Sequence, residues 1–506
     1  MDNPAAQLQQ AVQLHQQGRL EQAKGLYQQV LARQPRQFDA LHLLGVIERQ
    51  QGDPRRAALL IEAALQVDPR QARAHCNLGA ALQDLGRPEA ALASYDSALR
   101  LDPHYALAWD NRGNTLRRLG RMPEALDAYE RALLLKPAYP EAWCHRAILL
   151  QDLGRFADAA ASAERALASR PGYVDALLAL GNACQALERQ VDAIAAYDRA
   201  LALAERADVW CARGAALKKS GQLVAALASY DQALRLRPDY ALAAHYRANM
   251  LRALGRNQEA RTAYHRALAL GCDTVEIRFA LAALGEGEVP AAAPSAYVKD
   301  LFDQYAGHFD RHLVEVLGYR TPLLLGELLG RHGLSAGAAG GQPQLLDVLD
   351  LGCGTGLCGP ILRPLARTLT GVDLSEKMLD KAREPGLYDE LACADILEWL
   401  HGRQAQWDLV LAADVFVYVG DLAPVFGQVS AALRAGGLFA FSVETGKDEG
   451  DGYAITPSNR YAHAPDYVRA TARAAGFELL EMSPAVLRRE HETDVPGQLV
   501  LLRAIR

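Results

Sequence analysis

A 34-residue period runs through the first half of the chain and restricts its fold more than any other feature. Prolines recur at this interval at Pro35, Pro69, Pro103, Pro137 and Pro171. Glu205 occupies the next equivalent position, and Pro238 resumes the series after a deletion of one residue. Proline stops a helix because it has no amide hydrogen and clashes with the preceding turn. The spacing therefore predicts a helix that ends at the same point of every repeat.

Small and aromatic residues follow the same period. Glycine occupies one position, at Gly45, Gly79, Gly113, Gly181 and Gly214. Alanine occupies a second, at Ala23, Ala57, Ala91, Ala125, Ala159, Ala193, Ala226 and Ala260. Tyrosine occupies a third, at Tyr27, Tyr95, Tyr129, Tyr197, Tyr230 and Tyr264. Small residues let two helices approach closely, and a single pair cannot bury its own apolar face, so the pairs must stack into a superhelix.

The pattern resembles the tetratricopeptide repeat (TPR), in which each 34-residue unit forms two antiparallel helices. About eight copies cover residues 4–274. The resemblance implies a concave groove, lined by the first helix of each pair, that binds a protein or peptide. Two positions of that helix hold asparagines, at Asn77, Asn111, Asn114, Asn182 and Asn249. Their amides form either a hydrogen-bonding ladder for a peptide backbone or a set of solvated polar positions.

Composition narrows the class of protein. The chain has 506 residues, which favours more than one domain. Residues 1–274 carry five more basic than acidic side chains and the remainder eleven more acidic than basic ones, for a net charge of −6. The acidic second half disfavours a nucleic-acid substrate. We expect no membrane span, because no apolar run reaches the roughly 18 residues required. We also expect no signal peptide, because the first residues lack both a basic and an apolar region.

The eight cysteines form no Cys-x-x-Cys pair. They fit small buried residues in a reducing cytoplasm better than a disulfide framework or a zinc site. We therefore expect a cytoplasmic protein without a bound metal.

A second pattern starts after a predicted linker, residues 275–295, whose stretch Ala283–Pro294 is rich in Gly, Ala and Pro. From Gln344 the apolar runs LLDVLDL, TLTGVDL, WDLVLAADVFV and LFAFSV alternate with helix-like segments. Continuous apolar strands with intervening helices predict a parallel sheet covered on both faces. The runs FELLEMSPAVLR and GQLVLLRAI add a closing antiparallel strand. The predicted fold class is thus an all-α superhelix followed by a doubly wound α/β domain.

The stretch LDLGCGTGLCGP, Leu349–Pro360, allows two interpretations. A dinucleotide fingerprint ends at Gly359, whereas a methyl-donor loop uses Gly352, Gly354 and Gly356. Both bring backbone amides to a ligand. Asp350 distinguishes the two interpretations, because a carboxylate would repel a pyrophosphate but can hold the cationic amino group of methionine. We favour the methyl-donor interpretation.

Acids follow the next predicted strands at the edge where parallel sheets bind ligands. Asp373 can accept hydrogen bonds from both ribose hydroxyls. Asp395 can accept from an adenine amino group, although a capping role is the alternative. Asp414 ends the fourth strand at the reaction edge. The apolar residues beside these acids that would surround the adenine are Leu374, Met378 and Ile396.

This series resembles the class I S-adenosylmethionine-dependent methyltransferases over about residues 296–506. The resemblance implies a Rossmann-like domain with a mainly parallel seven-stranded sheet, and S-adenosyl-L-methionine as the cofactor. It also implies a lead segment over the cofactor, in which Tyr305 is either a lid residue or a core residue.

The resemblance does not identify the methyl acceptor or a general base. The segment Pro457–Val468, which includes Arg460, Tyr461 and His463, is either an acceptor-binding lid or a solvated loop. Asp414, Tyr418 and His463 are the candidate catalytic residues.

Three functions remain open. The chain is a methyltransferase whose repeats dock a protein substrate, a small-molecule methyltransferase that its repeats tether to an assembly, or a non-enzymatic scaffold that binds the donor.

Overall fold

A computed structural model describes residues 4–305, 319–334, 345–447, 451–456, 458–490 and 493–505. The chain forms two compact units, Met1–Arg256 and Asn257–Arg506. The division falls between the two helices of the eighth predicted repeat.

The first unit consists of consecutive helices, as the period predicts. Their bounds are α1 Pro4–Gln16, α2 Leu20–Arg33, α3 Phe38–Gln50, α4 Pro54–Val67, α5 Ala72–Asp84, α6 Pro88–Leu101, α7 Ala106–Arg118, α8 Met122–Leu135, α9 Pro140–Asp152, α10 Phe156–Ser169, α11 Val174–Ala186, α12 Gln190–Leu203, α13 Ala207–Lys219, α14 Leu223–Leu236 and α15 Ala241–Ala253. Even-numbered helices end just before the periodic prolines, as in α2, which ends two residues before Pro35.

Close packing inside each pair explains the periodic glycines. A Cβ atom placed on Gly113 would lie 2.5 Å from the ring of Tyr129, and one on Gly79 would lie 2.7 Å from the ring of Tyr95. The periodic alanines are fully buried. The glycine therefore provides the space into which the tyrosine of the second helix packs.

The second unit contains helices and a sheet. Its helices are α16 Asn257–Ala269, α17 Val275–Ala283, α18 Ser295–Tyr305, α19 Thr321–Arg331, α20 Gly359–Leu362, α21 Glu376–Arg383, α22 Ile396–Leu400, α23 Ala423–Ala432 and α24 Pro465–Ala474. Its strands are β1 Leu346–Leu351, β2 Ala366–Asp373, β3 Glu390–Cys393, β4 Trp407–Ala412, β5 Leu433–Thr445, β6 Tyr453–Ile455, β7 Tyr461–His463, β8 Phe477–Glu490 and β9 Thr493–Ala504.

The sheet has the predicted doubly wound topology. Strands β3, β2, β1, β4 and β5 are parallel and adjacent in that order. β9 pairs antiparallel with β5, and β8 pairs antiparallel with β9. These strands are the seven that the sequence predicts. The described residues add a short hairpin, β6 and β7, beside the end of β5.

The segment 275–295 differs from the expected linker because it begins with helix α17. Phe279 on this helix is buried, with ring centroids 5.5 Å from Tyr297 and 6.2 Å from Tyr461. Apolar side chains at helical spacing thus fold this part of the segment onto the second unit.

Within the described ranges, no helix combines the length and hydrophobicity that a bilayer crossing requires. Six of the eight cysteines are buried, as expected, whereas Cys272 is half-buried and Cys393 is exposed.

The Gly113–Tyr129 contact can be tested by substitution. We expect Gly113→Ala to lower the free energy of unfolding by about 1–3 kcal/mol, because the added methyl group overlaps the buried ring. Gly25→Ala in α2 is the control, since a Cβ there meets no atom within 4 Å. Urea unfolding followed by circular dichroism gives the size of the effect, and hydrogen exchange locates it. Equal stability of the two variants would contradict the packing role.

Candidate functional site

A cavity lies at the carboxyl ends of the parallel strands β1, β2 and β4. The loop after β1, the starts of α21 and α22, the segment after β4 and helix α18 line it. Of the predicted site residues, the lining includes Gly352, Gly354, Asp373, Leu374, Met378, Asp395, Ile396, Asp414 and Tyr418. The topology therefore brings most of the predicted site together.

Asp373 ties the glycine loop to the end of β2. Its Oδ2 accepts a hydrogen bond from the Gly354 amide at 2.9 Å, and its Oδ1 accepts one from the Ser375 amide at 2.9 Å. Burial raises the pKa of this carboxyl, and the backbone donors act in the opposite direction. Each carboxylate oxygen can accept one more hydrogen bond, so that the side chain could bind two neighbouring hydroxyl groups such as those of a ribose.

Asp350 lies beneath the glycine loop and is not among the residues that line the cavity. The Tyr388 hydroxyl donates to its Oδ2 at 2.6 Å, whereas its buried Oδ1 has no hydrogen-bond partner among the described residues. Burial raises the pKa of Asp350 to about 7. An acid in this position ionises readily only when a cation or a donor reaches it.

All three glycines of the loop, Gly352, Gly354 and Gly356, have a positive φ, which other residues rarely adopt. Gly352 has φ of 64°, and a Cβ there would lie 2.5 Å from Val415. Gly356 has φ of 87°, and a Cβ there would lie 3.1 Å from Tyr388. Both constraints require glycine. Gly359 begins α20 and packs against Leu387, which agrees with a packing role for this residue.

Asp395 caps α22, the role that the alternative interpretation gave it. Its Oδ1 accepts from the Leu397 amide at 2.9 Å. Its Oδ2 accepts from the Ser295 hydroxyl at 3.3 Å, and Asp395, Ser295 and Ile396 all line the cavity. Capping and ligand binding are compatible here, because they use different oxygens.

Helix α18 lines the cavity opposite the glycine loop. The Ser375 hydroxyl donates to Asp303 at 2.5 Å, and the rings of Phe302 and Tyr418 meet edge to face with centroids 5.5 Å apart. The helix therefore contacts the ends of both β2 and β4. The side chain of Tyr305, predicted as lid or core, lies outside the described residues.

Charged side chains gather at the far end of the cavity. Asp414 has φ of 54°, and its Oδ1 accepts from the Ser442 hydroxyl at 2.7 Å. The guanidinium of Arg488, on β8, lies 3.6 Å from Asp414 Oδ2 and forms a hydrogen-bonded ion pair with Glu444 on β5. Burial raises the pKa of Glu444, and Arg488 opposes the shift. Strain at Asp414 is thus accompanied by a buried ion-pair network.

A second guanidinium, that of Arg460, enters the same end of the cavity. It lies 3.9 Å from Glu444 Oε1, with 22% of its side chain exposed. Burial raises the pKa of Tyr418, and Arg460 lowers it in part. Arg460 and Tyr418 both line the cavity, whereas Glu444 lies behind them.

His463 and Tyr461 belong to the hairpin rather than to the cavity lining. His463 Nε2 donates to the carbonyl oxygens of Val419 and Gly420, at 2.9 and 3.1 Å. Burial lowers the pKa of His463 to about 4. Tyr461 is buried and donates to the Pro290 carbonyl at 2.8 Å. Residues 461–463 thus do not form a solvated loop, and Pro457 lies outside the described residues.

The sequence analysis did not identify Glu444, Arg488 or Tyr388. Glu444 is the next-to-last residue of β5, while Asp373 is the last residue of β2 and Asp414 follows β4, so the position of Glu444 at a strand end was a usable signal. Arg488 is the last residue of the run FELLEMSPAVLR and is followed by Arg489 and Glu490, so its position resembled that of a solvated charge and gave no comparable signal.

The asparagines of the repeats bind neighbouring side chains. The Asn77 amide lies 2.9 Å from His42 Nε2, and the oxygens of Asn114 and Asn182 accept from Tyr129 and Tyr197 at 2.8 Å. Asn111 donates to Cys76 Sγ at 3.8 Å, and Asn249 also has an intramolecular partner. These amides stabilise the repeats, so the predicted peptide ladder is not supported.

The role of His463 can be tested by two substitutions. We expect His463→Phe to lower the free energy of unfolding by about 1–3 kcal/mol, because two buried carbonyl oxygens lose their donor. His463→Gln keeps a donor at a similar position and should cost less. Urea unfolding measures both values. A general-base role would instead give two variants of normal stability that lose turnover.

Comparisons with known proteins agree with this architecture. A family described as "Methyltransferase domain" matches residues 349–439. Two families described as "Tetratricopeptide repeat" match residues 8–72, 44–82, 76–142, 145–208 and 207–240.

Among curated relatives, a ubiquinone biosynthesis O-methyltransferase of Bordetella avium is 28% identical over 27% of this chain and 64% of its own length. Methyltransferase-like protein 27 of Homo sapiens is 37% identical over 22% of this chain and 43% of its own length. The chain thus spans less than two thirds of these relatives.

Among solved structures, a chain of the APC/C hetero-tetramer Cut9–Hcn1 is 18% identical over 53% of both chains, with a TM-score of 0.44. This likeness is too low to support a further argument. The family matches and the sheet topology together show that the chain carries tetratricopeptide repeats followed by a methyltransferase domain.

Proposed function

We propose that the protein is an S-adenosyl-L-methionine-dependent methyltransferase whose repeats dock a protein or peptide that presents the methyl acceptor. The observation that supports the donor is the arrangement at one edge of the sheet. There Gly354, Asp373 and Asp395 line one cavity, at the ends of three adjacent strands.

The residues present fit this donor. The orphaned Oδ1 of Asp350 suits a cationic amino group, directly or through water. Asp373 suits the two ribose hydroxyls. Leu374, Met378 and Ile396 supply apolar lining that suits an adenine ring.

The chain's contribution to the reaction is alignment and exclusion of water. When bound, the donor supplies an electrophilic methyl group on a sulfonium. Asp373 and Asp395 fix the nucleoside, and α18 covers the cavity through Phe302 and Asp303. Such alignment supplies much of the acceleration of an in-line displacement.

Docking by the repeats rests on the general behaviour of such superhelices, which bind peptides and proteins. A small-molecule acceptor is the second candidate, because the Bordetella avium relative is named for ubiquinone biosynthesis. The experiment that separates them is incubation of the full-length protein with [methyl-³H] donor in a matched cell extract. Label in the protein fraction supports docking, and label only in metabolites contradicts it.

Asp373 provides a direct test of donor binding. We expect Asp373→Ala to abolish binding in isothermal titration calorimetry, because the ribose loses its acceptors and the loop loses its tie to Gly354. Asp380→Ala is the control, since this exposed acid on α21 pairs only with Arg383 among the described residues. An affinity unchanged by Asp373→Ala would refute the ribose role.

Because burial raises the pKa of Asp350, we expect donor binding to depend on pH. Its pKa is raised to about 7 and the ammonium favours the ionised form, so binding below pH 7 must release a proton. We expect affinity to increase up to about tenfold per unit as pH rises from 5.5 to 7. Calorimetry in buffers of different ionisation enthalpy measures the proton release. Asp350→Asn should abolish the dependence, and a dependence that survives would contradict this role.

A further inference from the structure

We propose that residues 286–294, which we call the strap, form a movable wall of the donor site and connect that site to helix α16. The strap follows α17 and is part of the predicted linker. The matches to known families do not include it, since they cover no residue between 241 and 348. This assignment rests on the proposed function, and it names how donor binding at the same site is regulated.

The backbone of the strap pairs with the segment that follows β4. The Ala293 amide donates to the Tyr418 carbonyl at 2.9 Å, and the Gly420 amide donates to the Ala291 carbonyl at 2.8 Å. This pairing is an isolated bridge outside the named strands of the sheet. Because the sheet does not include the strap, the strap can separate from its partner segment without breaking a strand.

Both sides of this pairing line the cavity. Ala292 and Ala293 supply the strap's part of the lining, and Tyr418 and Val419 supply the part of the partner segment. Helix α18, which also lines the cavity, begins directly after the strap. Separation of the strap would therefore open the cavity wall to water and displace the start of α18.

A small apolar cluster joins α17 to this wall. It contains Phe279 of α17, Ala293 of the strap and Tyr461 of β7, and Tyr418 packs against them. The Tyr461 hydroxyl also holds the strap directly, because it donates to the Pro290 carbonyl. Burial of apolar surface in this cluster stabilises the closed arrangement of the strap.

A pair of polar contacts joins the start of the strap to α16. The Glu286 amide donates to the Leu281 carbonyl at 2.9 Å and so ends α17. The Glu286 carboxylate lies 3.4 Å from Arg261 and 2.6 Å from His265, both on α16. All three side chains are partly exposed, so these contacts are weak and easily broken.

Donor binding and the position of the strap are thus linked. A donor enclosed by the wall binds the closed arrangement more tightly than an open one, because only the closed wall contacts it and excludes water. A change at α16 that releases Glu286 lowers the closed fraction and weakens donor binding by the same factor. The second helix of the eighth predicted repeat thereby acts on the donor site.

Hydrogen exchange of the full-length protein tests the movement. The probe is S-adenosyl-L-homocysteine, the demethylated form of the donor, which binds without transferring a methyl group. We expect it to slow exchange of the Ala293 and Gly420 amides at least about fivefold, because both donate hydrogen bonds across the closed pairing. Amides in α2 are the internal reference and should not change.

Two substitutions of Phe279 test the anchor in α17. We expect Phe279→Ala to weaken donor binding at least about tenfold, because loss of the ring lowers the closed fraction of the strap, and Phe279→Leu to restore most of the affinity. Calorimetry measures the affinity, and circular dichroism confirms folding. Phe477→Ala is the matched control, since this ring is buried against Phe439 and does not line the cavity.

A milder substitution acts at the contact with α16. We expect Glu286→Gln to weaken donor binding about two- to fivefold, because a partly exposed ion pair contributes little, and to speed exchange of the Ala293 amide without ligand. A merely structural role would change neither quantity. Glu288→Gln is the control, since this exposed acid of the strap has no ion-pair partner among the described residues.

Each outcome decides the proposal. Normal affinity in Phe279→Ala and Glu286→Gln, with a wild-type protein that binds the donor, would overturn the link and leave the proposed function intact. Equal loss of affinity in Phe279→Ala and Phe477→Ala would also overturn it, because general loss of stability would then explain the effect. Unchanged exchange of the strap on addition of S-adenosyl-L-homocysteine would show a fixed wall and contradict the movement. Absence of donor binding in the wild-type protein would overturn the proposed function as well.

Discussion

The hydrogen bond from the Gly354 amide to Asp373 is the interaction on which the cavity depends. It joins the loop after β1 to the end of β2, so that the glycine turn and the acid keep a fixed relative position. The positive φ of Gly352 brings the loop against Val415 after β4, where a side chain would collide. Three adjacent strands thus meet through backbone geometry, and the cavity forms where they end.

The sequence predicts this part of the site because topology alone brings it together. Acids that follow successive parallel strands must lie at one edge, whatever the details of packing. The buried pair of Glu444 and Arg488 was not predictable in the same way. It joins β5 to β8, which are not neighbours, through a register that β9 sets between them. Arg488 begins the charged stretch Arg488–Glu490, so the sequence shows neither that its side chain is buried nor which residue it pairs with.

In the repeats too, the sequence predicts the packing of the helices but not the partners of the polar side chains. Their period predicts where helices end and which small residues face large ones, because these contacts recur in every unit. It does not predict how polar groups are satisfied. Asn114 and Asn182 bind the tyrosine of their own repeat, whereas Asn77 binds His42 of the preceding one. Asn111, at the position equivalent to Asn77, likewise binds Cys76 of the preceding repeat. The asparagines at each of the two positions therefore have recurring partners inside the protein, and periodicity alone does not assign them to a ligand.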